Sequence, residues 1–247
     1  MSEKPKGGRR VLRRAALAVV VVAAGWLALV IHPQPLFAYT TREANIVLHA
    51  RRPFPPATQP MLADVVRRLS RSPLYDPGRV HHVFLCDTPA LYGALALWAR
   101  KSGGVTQALL NGNAFIRPYD IQRGVVFGRQ GEAKQGRSLA YFIAHEVTHA
   151  MTADHVGRWR YRRLAAFQKE GYADVVAFDR ALNLRDERAA LVRDEPQMDP
   201  TRSGLYRRYE VLVDYLLQRR GLTVEALLAA PMNRYTTEAE LLADSIL

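Results

Sequence analysis

The sequence predicts an α+β fold: a small N-terminal sheet packed on a mainly helical body, preceded by one transmembrane helix. Three observations carry this expectation. An uncharged run of 17 residues, 15–31 (AALAVVVVAAGWLALVI), follows a basic tail. Short apolar runs separated by Asn-Gly, Gly and Pro turn signals occupy residues 80–127. From residue 138 onward the apolar spacing becomes helical.

Composition sets the outer bounds. The chain has 247 residues, of which 49% are apolar, enough for a sizeable core and too apolar for a disordered chain. A single cysteine, Cys86, rules out an intramolecular disulfide framework. The net charge of +12 is unevenly spread. Residues 1–14 carry Lys4, Lys6, Arg9, Arg10, Arg13 and Arg14 against Glu3, a net +5, which leaves +7 on the other 233 residues. The basic excess is largely a tail property, and no nucleic-acid partner is expected from it.

Taken in order, residues 1–14 read as a basic cytoplasmic tail and 15–31 as a membrane anchor. A span needs roughly 17–25 apolar residues, and Trp26 sits where an interfacial aromatic belongs. Positive charge before the span predicts a cytoplasmic N-terminus with the body outside, periplasmic or extracellular. A signal peptide ending near Ala38 is the rival, and it too exports the body. Residues 32–60, with Pro33, Pro35, Pro53, Pro55, Pro56 and Pro60, read as a spacer with a short helix about 42–50.

A body over residues 61–247 follows. Residues 61–70 suit a short amphipathic helix closed off by Pro73. Residues 80–86 suit a strand, and Thr88-Pro89 starts a helix running to about 101. Residues 105–110, 114–117 and 124–127 suit short strands, and 138–154, 160–182, 186–193, 205–220, 223–230 and 236–245 suit helices. His81 and His82, adjacent on a strand, face opposite sides and cannot share one metal site from there. Arg158, Arg160, Arg162 and Arg163 read most simply as a solvated face.

The chemistry concentrates in residues 138–150, SLAYFIAHEVTHA. His145 and His149 are four apart, so on a helix both imidazoles leave one face and can share a metal ion. Glu146 lies beside them, placed to reach a water on that metal rather than the metal itself. A zinc site needs a third protein ligand. Glu170, in the stretch Glu170-Gly-Tyr-Ala-Asp174, can supply it, with Asp174 one helical turn on to orient a ligating histidine. His155 competes for that place, but only if the helix breaks before it, and no glycine stands between His149 and His155.

His145-Glu-x-x-His149 followed by Glu170-x-x-x-Asp174 resembles the gluzincin zinc metallopeptidases, the thermolysin-like group. The resemblance covers about 40 of the 247 residues. It implies a zincin-type body with Zn2+ on His145, His149 and Glu170, Glu146 as general base and Asp174 behind a zinc histidine. Asn113-Ala114-Phe115 is similar to the edge strand on which such enzymes lay out a substrate. A His or Tyr after the third ligand stabilises the oxyanion in the family; no histidine follows His155 here, and Tyr206 and Tyr209 are the candidates. The metzincin pattern is the nearer miss, with His155 in register, its glycine absent, and Met198 or Met232 for its Met-turn. The implied function is a membrane-anchored peptidase, endo- in preference to exo-acting, hydrolysing peptide or protein substrates. The rival from another class is a catalytically inactive basic envelope scaffold or binding protein.

Overall fold

The computed structural model describes residues 7–245 apart from 97, 98, 100, 101, 129 and 135. An α+β architecture results. The helix α1 (Gly7–Ile31) contains an apolar stretch, Val11–Ile31, of mean hydropathy 2.3, long and apolar enough to cross a bilayer. Five strands then form one mixed sheet: β1 (Tyr39–Glu43), β2 (Ile46–Ala50), β3 (His81–Leu85), β4 (Gly104–Thr106) and β5 (Ala114–Ile116). Their order is β1-β2-β3-β5-β4; the three central strands run parallel, and β1 and β4 flank them antiparallel. A small hairpin, β6 (Tyr119–Asp120) with β7 (Val125–Val126), leads into the helices.

Two helices interrupt the strand series, α2 (Thr58–Leu69) between β2 and β3, and α3 (Pro89–Ala96) between β3 and β4. Thr88 Oγ1 accepts from Leu91 N–H, so the expected Thr-Pro start of α3 holds. The rest of the helix expected to about 101 falls partly outside the described residues. After the hairpin come α4 (Leu139–Val156), α5 (Arg158–Arg163), α6 (Ala166–Phe178), α7 (Leu184–Val192), α8 (Pro200–Ser203) and α9 (Arg207–Asp214). A π-turn, Tyr215–Arg219, extends α9, and α10 (Val224–Ala229) and α11 (Arg234–Ala243) complete the body.

The alternation of each strand splits the interior in two. Ile46, Leu48, Val83, Leu85, Ala114 and Ile116 face the main core, shared with α2, α4, α6 and α9. Phe84, Cys86, Val105 and Phe115 face a smaller core, covered by α3 and by Val30 at the packed end of α1. His81 and His82 do take opposite faces. His82 Nδ1 lies 2.9 Å from His49 Nε2, whereas His81 is buried on the α4 side, where burial pushes its pKa down to about 4 and keeps it neutral.

Three expectations are corrected. Residues 39–50 are not spacer and helix but the β1–β2 hairpin; Ile46-Val47-Leu48 favours strand, and the prolines bracket the hairpin rather than fill it. Its turn is fixed by the buried Asn45, whose Nδ2 donates to the carbonyls of Asp76 and Arg79. The single helix expected over 160–182 is two, because Leu164 and Ala165 are extended and the Gln168 side chain caps Ala165 N–H. The segment 113–115 is no sheet edge: β5 lies between β3 and β4, so the edge strand is β4.

Candidate metal centre

The helix α4 begins at Ser138, whose side chain accepts from Tyr141 N–H, and ends at Gly157, where φ of +83° suits glycine. It lies buried for four turns between the sheet and α6. Such burial fixes which face of α4 meets α6, and that face carries His145 and His149. Against it α6 sets Glu170 and Asp174. The close approach depends on Gly171 behind them: a Cβ there would lie 2.3 Å from the Tyr209 carbonyl oxygen of α9.

Three donor atoms converge. His145 Nε2 is 3.2 Å from His149 Nε2 and 3.3 Å from Glu170 Oε2, and the third side, His149 Nε2 to Glu170 Oε2, is 3.6 Å. Ligands at tetrahedral angles around one zinc-sized ion lie about 3.3–3.5 Å apart, so the triangle has the size a metal requires. The chemistry of the set, two imidazole nitrogens and one carboxylate oxygen, suits a divalent metal with a position left open. His145, His149 and Glu170 can therefore hold a metal ion.

The other ring nitrogens are engaged, which aims both Nε2 atoms at the centre. His145 Nδ1 lies 2.8 Å from Asp174 Oδ1, which also accepts from the Tyr141 hydroxyl at 2.5 Å. His149 Nδ1 lies 3.1 Å from the Tyr161 hydroxyl of α5. Burial works against protonation of His145, but Asp174 and Glu170 outweigh it and raise its pKa to about 10. Burial likewise opposes ionisation of Glu170, yet His149 and His145 hold its carboxyl well below the usual range.

Glu146 is buried beside this triangle. Thr106 Oγ1, on the edge strand β4, lies 2.7 Å from both Glu146 Oε2 and the Glu146 carbonyl oxygen. Gly104 leaves the space that Glu146 occupies, since a Cβ there would come 2.7 Å from its Cγ and Oε1. Burial pushes the Glu146 carboxyl above its ordinary pKa, with the imidazoles and Thr106 opposing in part. The register makes Val105–Phe115 the bonded pair of β4 and β5, so the backbone groups of Gly104 and Thr106 point away from β5.

The remaining candidates divide. Tyr206, at the N-terminus of α9 and 37% exposed, is raised to about 12, first by burial and then by the charges of Glu170, Asp174 and Glu146. Tyr209 stacks on Tyr206 with centroids 5.7 Å apart, and its backbone carbonyl packs against Gly171. His155 is exposed on an unbroken α4 and is not brought to the triangle, which removes the metzincin-like alternative. Asn113 and Ala114 are buried in the interior; Asn113 Nδ2 donates to the carbonyls of Val30 and Ile31 and so fastens α1. Thr106, Tyr141 and Tyr161 were not foreseen. Tyr141 alone had a signal, one helical turn before His145 on the same face. No family model, curated protein or solved structure matches the chain.

Proposed function

We propose that this chain is a membrane-anchored zinc metallopeptidase of the zincin type, with α1 as the anchor and the body exported. The observation that carries the proposal is Glu146 held beside the His145–His149–Glu170 triangle by a residue of the edge strand. A structural helix pair has no use for a buried carboxylate next to three inward-facing metal donors.

When bound, zinc would polarise the scissile carbonyl and acidify its water. Glu146, desolvated and therefore avid for a proton, would take one from the attacking water and pass it to the departing amine. Thr106 donates to the Glu146 carboxylate and would hold it in place. The Gly104 carbonyl already accepts from Ser102 Oγ, but the outward N–H of Gly104 and the outward backbone groups of Thr106 suit pairing with an extended peptide, which would lay the scissile bond alongside Glu146. Tyr206 is the better placed of the two tyrosines to donate to a developing oxyanion. Asp174 and Tyr161 hold the two imidazoles in orientation.

The test is metal analysis of the purified chain with Glu170→Ala and Glu146→Gln beside it, followed by a peptide-library digest. About one zinc per chain is expected in the wild type and in Glu146→Gln, and little in Glu170→Ala. Cleavage is expected in the wild type alone, with Glu146→Gln slower by at least about 100-fold. A metal-free wild type after reconstitution would leave an inactive scaffold as the function.

A further inference from the structure

The short helix α5, RWRYRR, joins the two helices that carry the metal donors, and the proposed chemistry uses only its Tyr161. Tyr161 turns inward to His149, which leaves the other residues of the helix to the outside. Arg160, Arg162 and Arg163 are exposed, Trp159 is 76% exposed, and no acidic residue lies on the helix. Among the described residues none of its four arginines has an ion-pair partner, although most other arginines of the body do. A bare tryptophan flanked by guanidiniums without acidic partners suits an interface with anionic groups.

Position in the fold says which interface. The end of α4, from which α5 departs, is tied by Asp154 to Arg79, just before β3. The packed end of α1 is tied by Ile31 and Val30 to Asn111 and Asn113, just before β5. Because β3 and β5 are parallel neighbours, both ties lie at the same end of the strands, α1 on the Phe84–Phe115 face of the sheet and α4 on the opposite face. The apolar helix therefore meets the body at the end of the sheet from which α5 departs. Resting on the reading of α1 as an anchor, we infer that α5 is a second membrane contact, with Trp159 at the interface and Arg158, Arg160, Arg162 and Arg163 on anionic lipid headgroups. One helix tethers and the other orients, so the body lies against the bilayer instead of swinging on a single stem.

The full chain would be reconstituted into phosphatidylcholine vesicles with and without about 30% phosphatidylglycerol. Quenching by brominated lipid is compared between wild type and Trp159→Phe, and the difference belongs to Trp159. Flotation after carbonate extraction reports the anchor separately. The Trp159 quenching should be at least about twofold stronger in the anionic vesicles. It should vanish in R158Q/R160Q/R162Q/R163Q, with thermal midpoint and metal content unchanged. Equal quenching in both vesicles, its survival in the quadruple variant, or a Trp159 response to soluble polyglutamate but not to lipid would each overturn the inference. Flotation with anionic vesicles only, abolished by the four substitutions, would remove the anchor and retain the α5 contact.

Discussion

Tyr161 and Asp174 do the same job on two histidines with unequal strength. Asp174 offers His145 a buried carboxylate, whereas Tyr161 offers His149 a neutral hydroxyl at 3.1 Å. Removing that hydroxyl frees the imidazole to rotate and weakens it as a ligand. Tyr161→Phe is accordingly expected to lower zinc affinity by about tenfold, at the weak end for such partners, with the fold intact. Competition with a fluorescent chelator measures it, and an unchanged affinity would show that packing alone holds His149. The clustering of His145, His149 and Glu170 was legible in the sequence because the residues of each pair, His145/His149 and Glu170/Asp174, sit within one helix, where i and i+4 share a face. Tyr161 was not, since its approach to His149 depends on the turn at Gly157. Thr106 was hidden for a similar reason: only the strand order brings residue 106 to residue 146.

At the scale of elements, the centre depends on how closely α6 is clamped between α4 and α9. Gly171 permits the contact with α9, and α9 is in turn held by Glu210, buried between Arg180 and Arg207, with Arg207 also on Glu187. A methyl at residue 171 must move a backbone carbonyl rather than a flexible side-chain tip. Gly171→Ala should therefore cost about 1–3 kcal/mol in unfolding free energy, the range for overpacking, and should lower zinc affinity by displacing Glu170. Chemical denaturation with and without zinc reads both, and a variant of wild-type stability would mean that α6 and α9 slide apart freely. Helix positions from α4 onward were legible from their periodicity, except where 160–182 breaks into α5 and α6 and where the four-residue α8 intervenes. The β1–β2 hairpin was not, since prolines on both sides disguised five-residue strands, of which β2 is held by the distant parallel neighbour β3. The edge strand was misplaced for the same reason: pairing order is decided by tertiary contacts, and 104–106 and 114–116 are equally short.

Over the whole molecule the candidate metal centre ties stability to pH. The folded-state pKa of His145 is raised to about 10 from an ordinary 6.5, so its contribution to the chelated, metal-free fold is complete below about 6.5 and is lost as pH rises through 10. Glu170 is shifted downward, so its contribution is present above its ordinary range and fades only in acid. The metal-free body is thus stabilised at neutral pH by the proton on His145 facing the Asp174 and Glu170 carboxylates. A metal entering the triangle must displace the proton on His145, so binding releases a proton and strengthens as pH rises toward 10. The rise in thermal midpoint on adding a fixed excess of zinc is therefore expected to be larger at pH 8.5 than at pH 6.5, because the metal competes with fewer protons while the metal-free fold has begun to lose the His145 term. Scanning calorimetry of the chelated and zinc-loaded full chain in detergent at the two pH values measures both differences. An increment independent of pH would place the bound metal away from His145. In Glu170→Ala the increment should collapse at both values, since the two imidazoles alone leave the triangle open on the α6 side.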